Sequence, residues 1–496
     1  MTARMPLNII LITSDEMRAD ALGYMGNPDC RTPNIDSLTS KGVTFTNHFT
    51  VHGKCVPSRI AMQTGRYCHT DGYRTINLHM PVETPHLLGA LKKMGYESAV
   101  FGHNHVWKEK AFWGQDNRKG TTYPDYHSYT ADVFGPMIAR EWPVQRPGPG
   151  SRRPMDLSRE GFQYTGRIEK PLSGFCDDTR AEQAIHYLKA VRDRSRPFYL
   201  HLNFGKPHPA YCAEEPYFSM YDRAKIVPYP YALPANAPLH MTAMRRIRTG
   251  VDAPEDAFRE IQALYYGMVT KVDLLAGRVL AAIGEEGLFA NSIVLFTTDH
   301  GDFAGQYGLV EKWDTSLCDC IMRCPLILCA PSLTGGAHVS SLTEHIDLPS
   351  TILGLLGTAP DWGVHGESLL PAIRGERRKE AVFGDGGHEQ AMWKRFNFGP
   401  GRAGALDGKQ VTYRDAPESM ARAKMVRTER WKLVVRLTGG NELYDMEKDP
   451  QEMRNLYPGH EKDPALAHVV ADLQLKLVEW CLRTDTDLPF EEKVGA

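Results

Sequence analysis

The chain has 496 residues, 42% hydrophobic and 24% charged, an ordinary globular balance that excludes collagen-like, coiled-coil and disordered classes. At about 100–200 residues per domain it holds several units, or one large α/β unit with an appendage. Lys and Arg number 58 against 60 Asp and Glu, a net charge of −2, so nothing in the overall charge calls for nucleic acid as a partner.

Near the start, the apolar run Leu7–Thr13 is rich in Ile and Leu and ends in Ser14-Asp15-Glu16. It is too short for a signal-peptide core and lacks a small-residue cleavage site behind it. No run of about eighteen apolar residues follows anywhere, so no membrane span is expected and a cytoplasmic location is. Instead, Leu7–Thr13 reads as a strand buried on both faces of a parallel sheet. Asp177 and Asp178 stand as capping candidates before Ala181, Ala184, Ile185, Leu188 and Val191 at helical spacing, and a strand follows at Pro197–Phe204. Phe258, Ile261, Leu264, Met268, Val272, Leu275 and Val279 mark a long amphipathic helix. After it, the strand Ser292–Thr298 ends in Asp299-His300-Gly301-Asp302. Two acidic strand ends in one α/β sheet are natural neighbours at a site, because ligands bind beyond the carboxyl ends of the strands.

The segments Trp142–Pro154 and Val227–His240 are proline-dense loops, either pocket rims or plain surface. Beyond about Arg378 the texture changes. Ala423–Leu437 reads as a strand pair, Glu442-Leu443-Tyr444-Asp445 follows, and a last helix covers about Ala465–Arg483. The expected fold class is therefore α/β: a large, mostly parallel sheet flanked by helices over residues 1–378, with a smaller antiparallel α+β subdomain over 379–496. Ten cysteines in so long a chain form no disulfide scaffold, and Cys318, Cys320, Cys324 and Cys329 lack the spacing of a zinc site. Most are expected as buried thiols.

The most informative segment is Lys54-Cys55-Val56-Pro57-Ser58-Arg59, continued by Thr64-Gly65-Arg66. Pro57 suits a first helical position, which would set Cys55 beside free backbone N–H groups. The pattern C-x-P-S-R-x4-T-G-R resembles the signature of the sulfatase family at every defined position. Weaker matches occur in the same order along the chain. Asp15 and Glu16 stand where the family carries two adjacent aspartates on a divalent cation, and Asp299 and His300 match its second ligand pair. Lys312 matches a lysine that contacts the sulfate. His208, in NFGKPHPAY, and His105, in FGHNHVW, resemble two catalytic histidines, whereas His103 stands where a sulfate-contacting lysine is usual.

The resemblance implies an alkaline phosphatase/sulfatase-like fold and a metal-dependent hydrolysis of a sulfate monoester. Cys55 would be oxidised to formylglycine by a formylglycine-generating enzyme. Asp15, Glu16, residue 55, Asp299 and His300 would hold one cation, Ca²⁺ first and Mg²⁺ or Mn²⁺ next, as a carboxylate and imidazole set suits. Arg59, one helical turn from residue 55, would steady the nucleophile. His208 or Lys312 would protonate the leaving alcohol, and His105 would deprotonate the hydrate so that sulfate leaves.

Hydrolysis of a phosphonate monoester or phosphodiester on the same site is the near alternative; an inactive sulfatase-fold binding protein and a Cys55 thiolate hydrolase are more distant ones. The substrate is expected to be a small sugar, aryl or alkyl sulfate, with no nucleic acid or membrane as partner. Trp107, Trp113, Tyr123 and Tyr126 are candidates to stack on it, or to pack. The residues after Asp485 are a candidate bridge to a second copy in a homo-oligomer.

Overall fold

The computed structural model describes residues 6–76, 78, 80–81, 83–102, 105–107, 126–128, 160–169, 177–388 and 408–485. His103, Trp113, Tyr123, the side chain of Tyr126, the segment 142–154 and the residues after Asp485 lie outside that description.

A nine-stranded sheet organises the molecule. Its order is Ala337–Val339, Val43–Phe49, Arg323–Cys329, Ser292–Thr298, Asn8–Asp15, Phe198–Pro207, Glu97–Gly102 and Tyr126–Ser128, with Thr343–Glu344 added to Val43–Phe49. Every pairing is parallel except the two made by Arg323–Cys329. The mostly parallel α/β expectation is met.

The central strands are apolar on both faces because each face has its own core. In Asn8–Asp15, Ile10 and Ile12 join Val294, Phe296, Leu200 and Leu202 against the helix Glu255–Glu285. Ile9 and Leu11 join Ile293 and Leu295 against Val56 and Ile60 on the other face. Each such side chain contributes about 1.5–3 kcal/mol of burial, and a charge at Leu295 would break the layer, having no partner there.

The strand Asn8–Asp15 runs two residues past the apolar run, because Ser14 still pairs with Thr298 on the neighbouring strand. Asp15 and Asp299 therefore leave adjacent strand ends side by side.

Val382–Gly386, Ala423–Arg427, Trp431–Arg436 and Glu442–Asp445 form a second, wholly antiparallel sheet. The helix Pro464–Thr484 covers it. Asp463 caps that helix by accepting from the Ala465 and Leu466 amides at 3.0 and 3.4 Å, and Trp480 stacks on Phe383 at 5.0 Å. This sheet touches the Cys55 region: the Asp385 amide donates to the Val51 carbonyl at 2.9 Å.

Some local expectations are corrected. Asp177 lies inside the helix Asp177–His186, and its carboxylate accepts from the Gly205 and Lys206 amides at 2.8 and 2.9 Å, bracing the strand end instead of capping a helix. The Asp178 carboxylate pairs with Lys271 at 2.8 Å. Trp107 is buried against the His86 ring, with centroids 5.2 Å apart, and is a packing residue. In the loop Val227–His240, Tyr229 lies under the Arg18 guanidinium at 3.9 Å and Tyr231 donates to Gln262 at 2.7 Å, so these aromatics anchor the loop to the body of the molecule. The cysteines in the described residues are free, and all but the half-buried Cys481 are buried, as expected.

Candidate active site

The helix Cys55–Thr64 starts two residues earlier than Pro57 suggests and is buried along its whole length. Pro57 is tolerated because amides in the first turn have no partner within the helix. Gly65 ends the helix at φ 72, its amide returning to the Ala61 carbonyl at 2.9 Å, a left-handed cap that favours glycine. The T-G-R half of the motif is thus a helix stop.

Arg59, one turn from Cys55, ties the site together. Its Nε donates to Asp299 Oδ2 at 2.8 Å, Nη2 to Asp15 Oδ2 at 3.2 Å and Nη1 to Asn203 Oδ1 at 2.6 Å. Asp299 Oδ1 accepts from the amides of Glu16 and His300 at 3.1 and 2.9 Å. The neighbouring Ser58 hydroxyl donates to the Asp299 carbonyl at 2.6 Å, locking the helix to the strand end. Gly301 is required beside it: a Cβ there would sit 2.0 Å from the Cys320 carbonyl oxygen.

Cys55 Sγ lies 3.4 Å from Asp15 Oδ1 and 3.2 Å from His300 Nε2. His300 Nδ1 faces the Gly301 carbonyl at 2.9 Å. A carbonyl only accepts, so the ring proton is on Nδ1 and the Nε2 lone pair faces residue 55.

Among the described residues, the ligand atoms of Asp15, Cys55, Asp299 and His300 lie within 4.8 Å of one another, all four side chains being buried. The electrostatics fit a cation. Burial first, and then the charge of Asp299, push the Asp15 carboxyl above its usual range. Burial also acts on Asp299, but the Arg59 guanidinium outweighs it and holds this carboxyl below the usual range. His300 is driven down to about 3 by burial, keeping its imidazole neutral as a ligand must be.

A second group of ligand atoms within 4.8 Å of one another comprises Asp15, Glu16 and His208. Glu16, at φ 65, forms an ion pair through Oε1 with Lys312 Nζ, while Oε2 is 3.6 Å from His208 Nε2. Burial pushes the Glu16 carboxyl up, and the Lys312 ammonium beside it pulls it back down. Lys312 is buried, which lowers its affinity for a proton, yet the acidic groups around it hold the ammonium well above its usual value. His208 is lowered to about 4, by burial and then by Lys312, and its Nδ1 is committed to the Pro209 carbonyl. His105 has φ 53 and is lowered to about 3, by burial and then by Arg59.

The structure thus gathers Asp15, Glu16, Cys55, Arg59, His208, Asp299, His300 and Lys312 through direct contacts, and sets His105 within the field of Arg59, Asp299, His208 and Lys312. Sequence reasoning missed Asn203 and Tyr265. Asn203 accepts from both Arg59 and the Thr13 hydroxyl, the latter at 2.7 Å. The Tyr265 hydroxyl donates to the Glu16 carbonyl at 2.7 Å and accepts from the Arg18 amide at 2.8 Å. The one sign of Asn203 in the sequence is an amide side chain inside the apolar strand HLNF.

The protein is similar to the Multifunctional alkaline phosphatase superfamily protein PehA of Trinickia caryophylli, at 28% identity over 96% of this chain and 95% of that one. It is 25% identical to the Arylsulfatase of Clostridium perfringens, over 92% of this chain and 91% of that one. The solved phosphonate monoester hydrolase of Agrobacterium radiobacter superposes with a TM-score of 0.72 at 22% identity, covering 96% of both chains, which establishes the shared fold. The Sulfatase family model matches residues 7–358, the span from the first strand through the cysteine helix to the acidic strand ends and beyond. The chain accordingly belongs to the sulfatase family, the sulfuric ester hydrolases.

Proposed function

We propose that this protein hydrolyses a small sulfate monoester, R–O–SO₃⁻ and water giving R–OH and hydrogen sulfate, with formylglycine derived from Cys55 as nucleophile. The observation that carries the reading is the convergence of residue 55, Asp15, Asp299 and His300 on one point at the sheet's carboxyl edge. In the cation-free site, burial and then Asp15 push the Cys55 thiol well above its usual value.

Asp15, Asp299, His300 and residue 55 would hold a divalent cation, Ca²⁺ first and Mg²⁺ or Mn²⁺ next, because oxygen and imidazole donors suit hard or borderline ions. Bound there, it would supply positive charge to the ester oxygens and acidify a hydroxyl on residue 55. Arg59 orients the two carboxylates and faces the same anion. Lys312 offers a buried positive charge to the ester, and Lys312 or His208 would supply the proton for the leaving alcohol. His105, also neutral, is the base that frees sulfate. Maturation calls for a formylglycine-generating enzyme. Among the described residues no helix is long and apolar enough to cross a membrane; we assign the protein to the cytoplasm.

A second reading, phosphonate monoester or phosphodiester hydrolysis, is favoured by the likeness to PehA, named multifunctional, and to the phosphonate monoester hydrolase fold. The two are separated by comparing kcat/KM on an aryl sulfate with that on an aryl phosphonate monoester. A preference for the sulfate supports the first reading, and a preference for the phosphonate replaces it with the second.

A further inference from the structure

We propose that Glu16 positions Lys312 and His208 beside the reacting ester and is not a ligand of the cation, an inference that rests on the site assigned above. Glu16 follows Asp15 directly, yet its carboxylate lies outside the group formed by Asp15, Cys55, Asp299 and His300. The backbone accounts for this. Residue 16 is held at φ 65, its amide donating to Asp299 Oδ1 at 3.1 Å and its carbonyl accepting from the Tyr265 hydroxyl at 2.7 Å. Directly after it the Met17 amide donates to Thr298 Oγ1 at 3.1 Å and the Arg18 amide to the same tyrosine. A left-handed conformation at a non-glycine residue costs about 1–3 kcal/mol and persists only where its surroundings over-determine it, as these four hydrogen bonds do.

The side chain then spans two groups. Oε1 pairs with Lys312 Nζ and Oε2 lies 3.6 Å from His208 Nε2. Among the described residues, the other carboxylate within 4.0 Å of Lys312 Nζ is that of Glu311, and it is engaged by Arg248 at 2.8 Å. Glu16 is therefore the main counter-charge of a fully enclosed ammonium, and the extra methylene of glutamate over aspartate carries the carboxylate to it. Removing such a partner leaves a buried charge free to move.

The test uses the full-length, matured protein and Mn²⁺ alone as probe. In titration calorimetry, Glu16→Gln should change the Mn²⁺ dissociation constant by less than about 3-fold, whereas Asp299→Asn should raise it by about 10–100-fold. In kinetics, Glu16→Ala should lower kcat by about 100-fold with KM nearly unchanged, the scale of losing a charge-stabilising group. Glu16→Gln should restore at least about a tenth of kcat, its amide oxygen still accepting from Lys312. Adding Glu16→Ala to Lys312→Met should cost nothing further, the signature of residues acting as one unit. A Mn²⁺ dissociation constant raised as much by Glu16→Gln as by Asp299→Asn would overturn the proposal, as would additive losses in the double variant. Unchanged Mn²⁺ binding in Asp299→Asn would instead remove the cation set assigned above, a separate failure.

Discussion

His300 Nε2 and Cys55 Sγ stand 3.2 Å apart although 245 positions separate them in the chain. The contact exists because parallel strands deliver His300 to the edge of the sheet where the buried helix Cys55–Thr64 begins. An ordinary hydroxyl at residue 55 could accept the sulfuryl group there but could not expel it, whereas an aldehyde hydrate carries a second hydroxyl for that step. Cys55→Ser is therefore expected to release one equivalent of alcohol and then stop, leaving sulfated protein visible by intact mass. Continued turnover by that variant would argue for direct water attack.

Cation removal should cost both activity and stability, since Asp15 and Asp299 are buried carboxylates on adjacent strand ends. A cation at about 100 times its dissociation constant contributes roughly 2.7 kcal/mol. Chelation is expected to abolish turnover and lower Tm, and added Ca²⁺, Mg²⁺ or Mn²⁺ to restore both. An enzyme fully active after exhaustive chelation would exclude the scheme.

Arg59 spans Asp15, Asp299 and Asn203 with three of its nitrogens. Replacing it by methionine in the cation-free protein leaves two buried carboxylates without it, and breaking such a pair typically costs about 3–5 kcal/mol. Urea unfolding should show that loss. Arg59→Lys should recover only part of it, because a single ammonium cannot reproduce the planar fork.

Acid should destabilise the fold through its buried histidines. Burial pushes His52 and His365 down to about 4 from 6.5. A group whose folded value is depressed contributes stability that is complete above its unfolded value and is lost as the pH falls below it. The window is therefore pH 6.5 down to 4, with a slope of up to about 1.4 kcal/mol per pH unit for each histidine. Tm should be level above about pH 7 and fall through that window, less steeply in His365→Gln. A Tm independent of pH across it would show that these rings titrate as though exposed.

Much of this was legible in the sequence because it is local. Ser292–Thr298 is apolar from end to end and is a strand over those same residues; Cys55 and Arg59 are one helical turn apart whatever surrounds them. What escaped depends on pairing. Asn8–Asp15 was expected to stop where Ser14 interrupts the apolar run, but hydrogen bonding to Thr298 carries the strand on. Asp177 has the composition of a cap, yet the neighbouring strand claims its carboxylate. Asn203 and Tyr265 bind partners more than 100 positions away, and no spacing rule marks such residues. Glu16 reads as a ligand by its place beside Asp15, but its backbone conformation carries its carboxylate to Lys312 and His208.

The central claim is the chemical state of residue 55. Trypsin cuts after Lys54 and Arg59, isolating the peptide Cys55–Arg59, CVPSR. Mass spectrometry of that peptide from protein made in its native cells should show the aldehyde or its hydrate in place of the thiol. An unmodified thiol in protein that turns over sulfate esters would contradict the account and return the thiolate mechanism to the front.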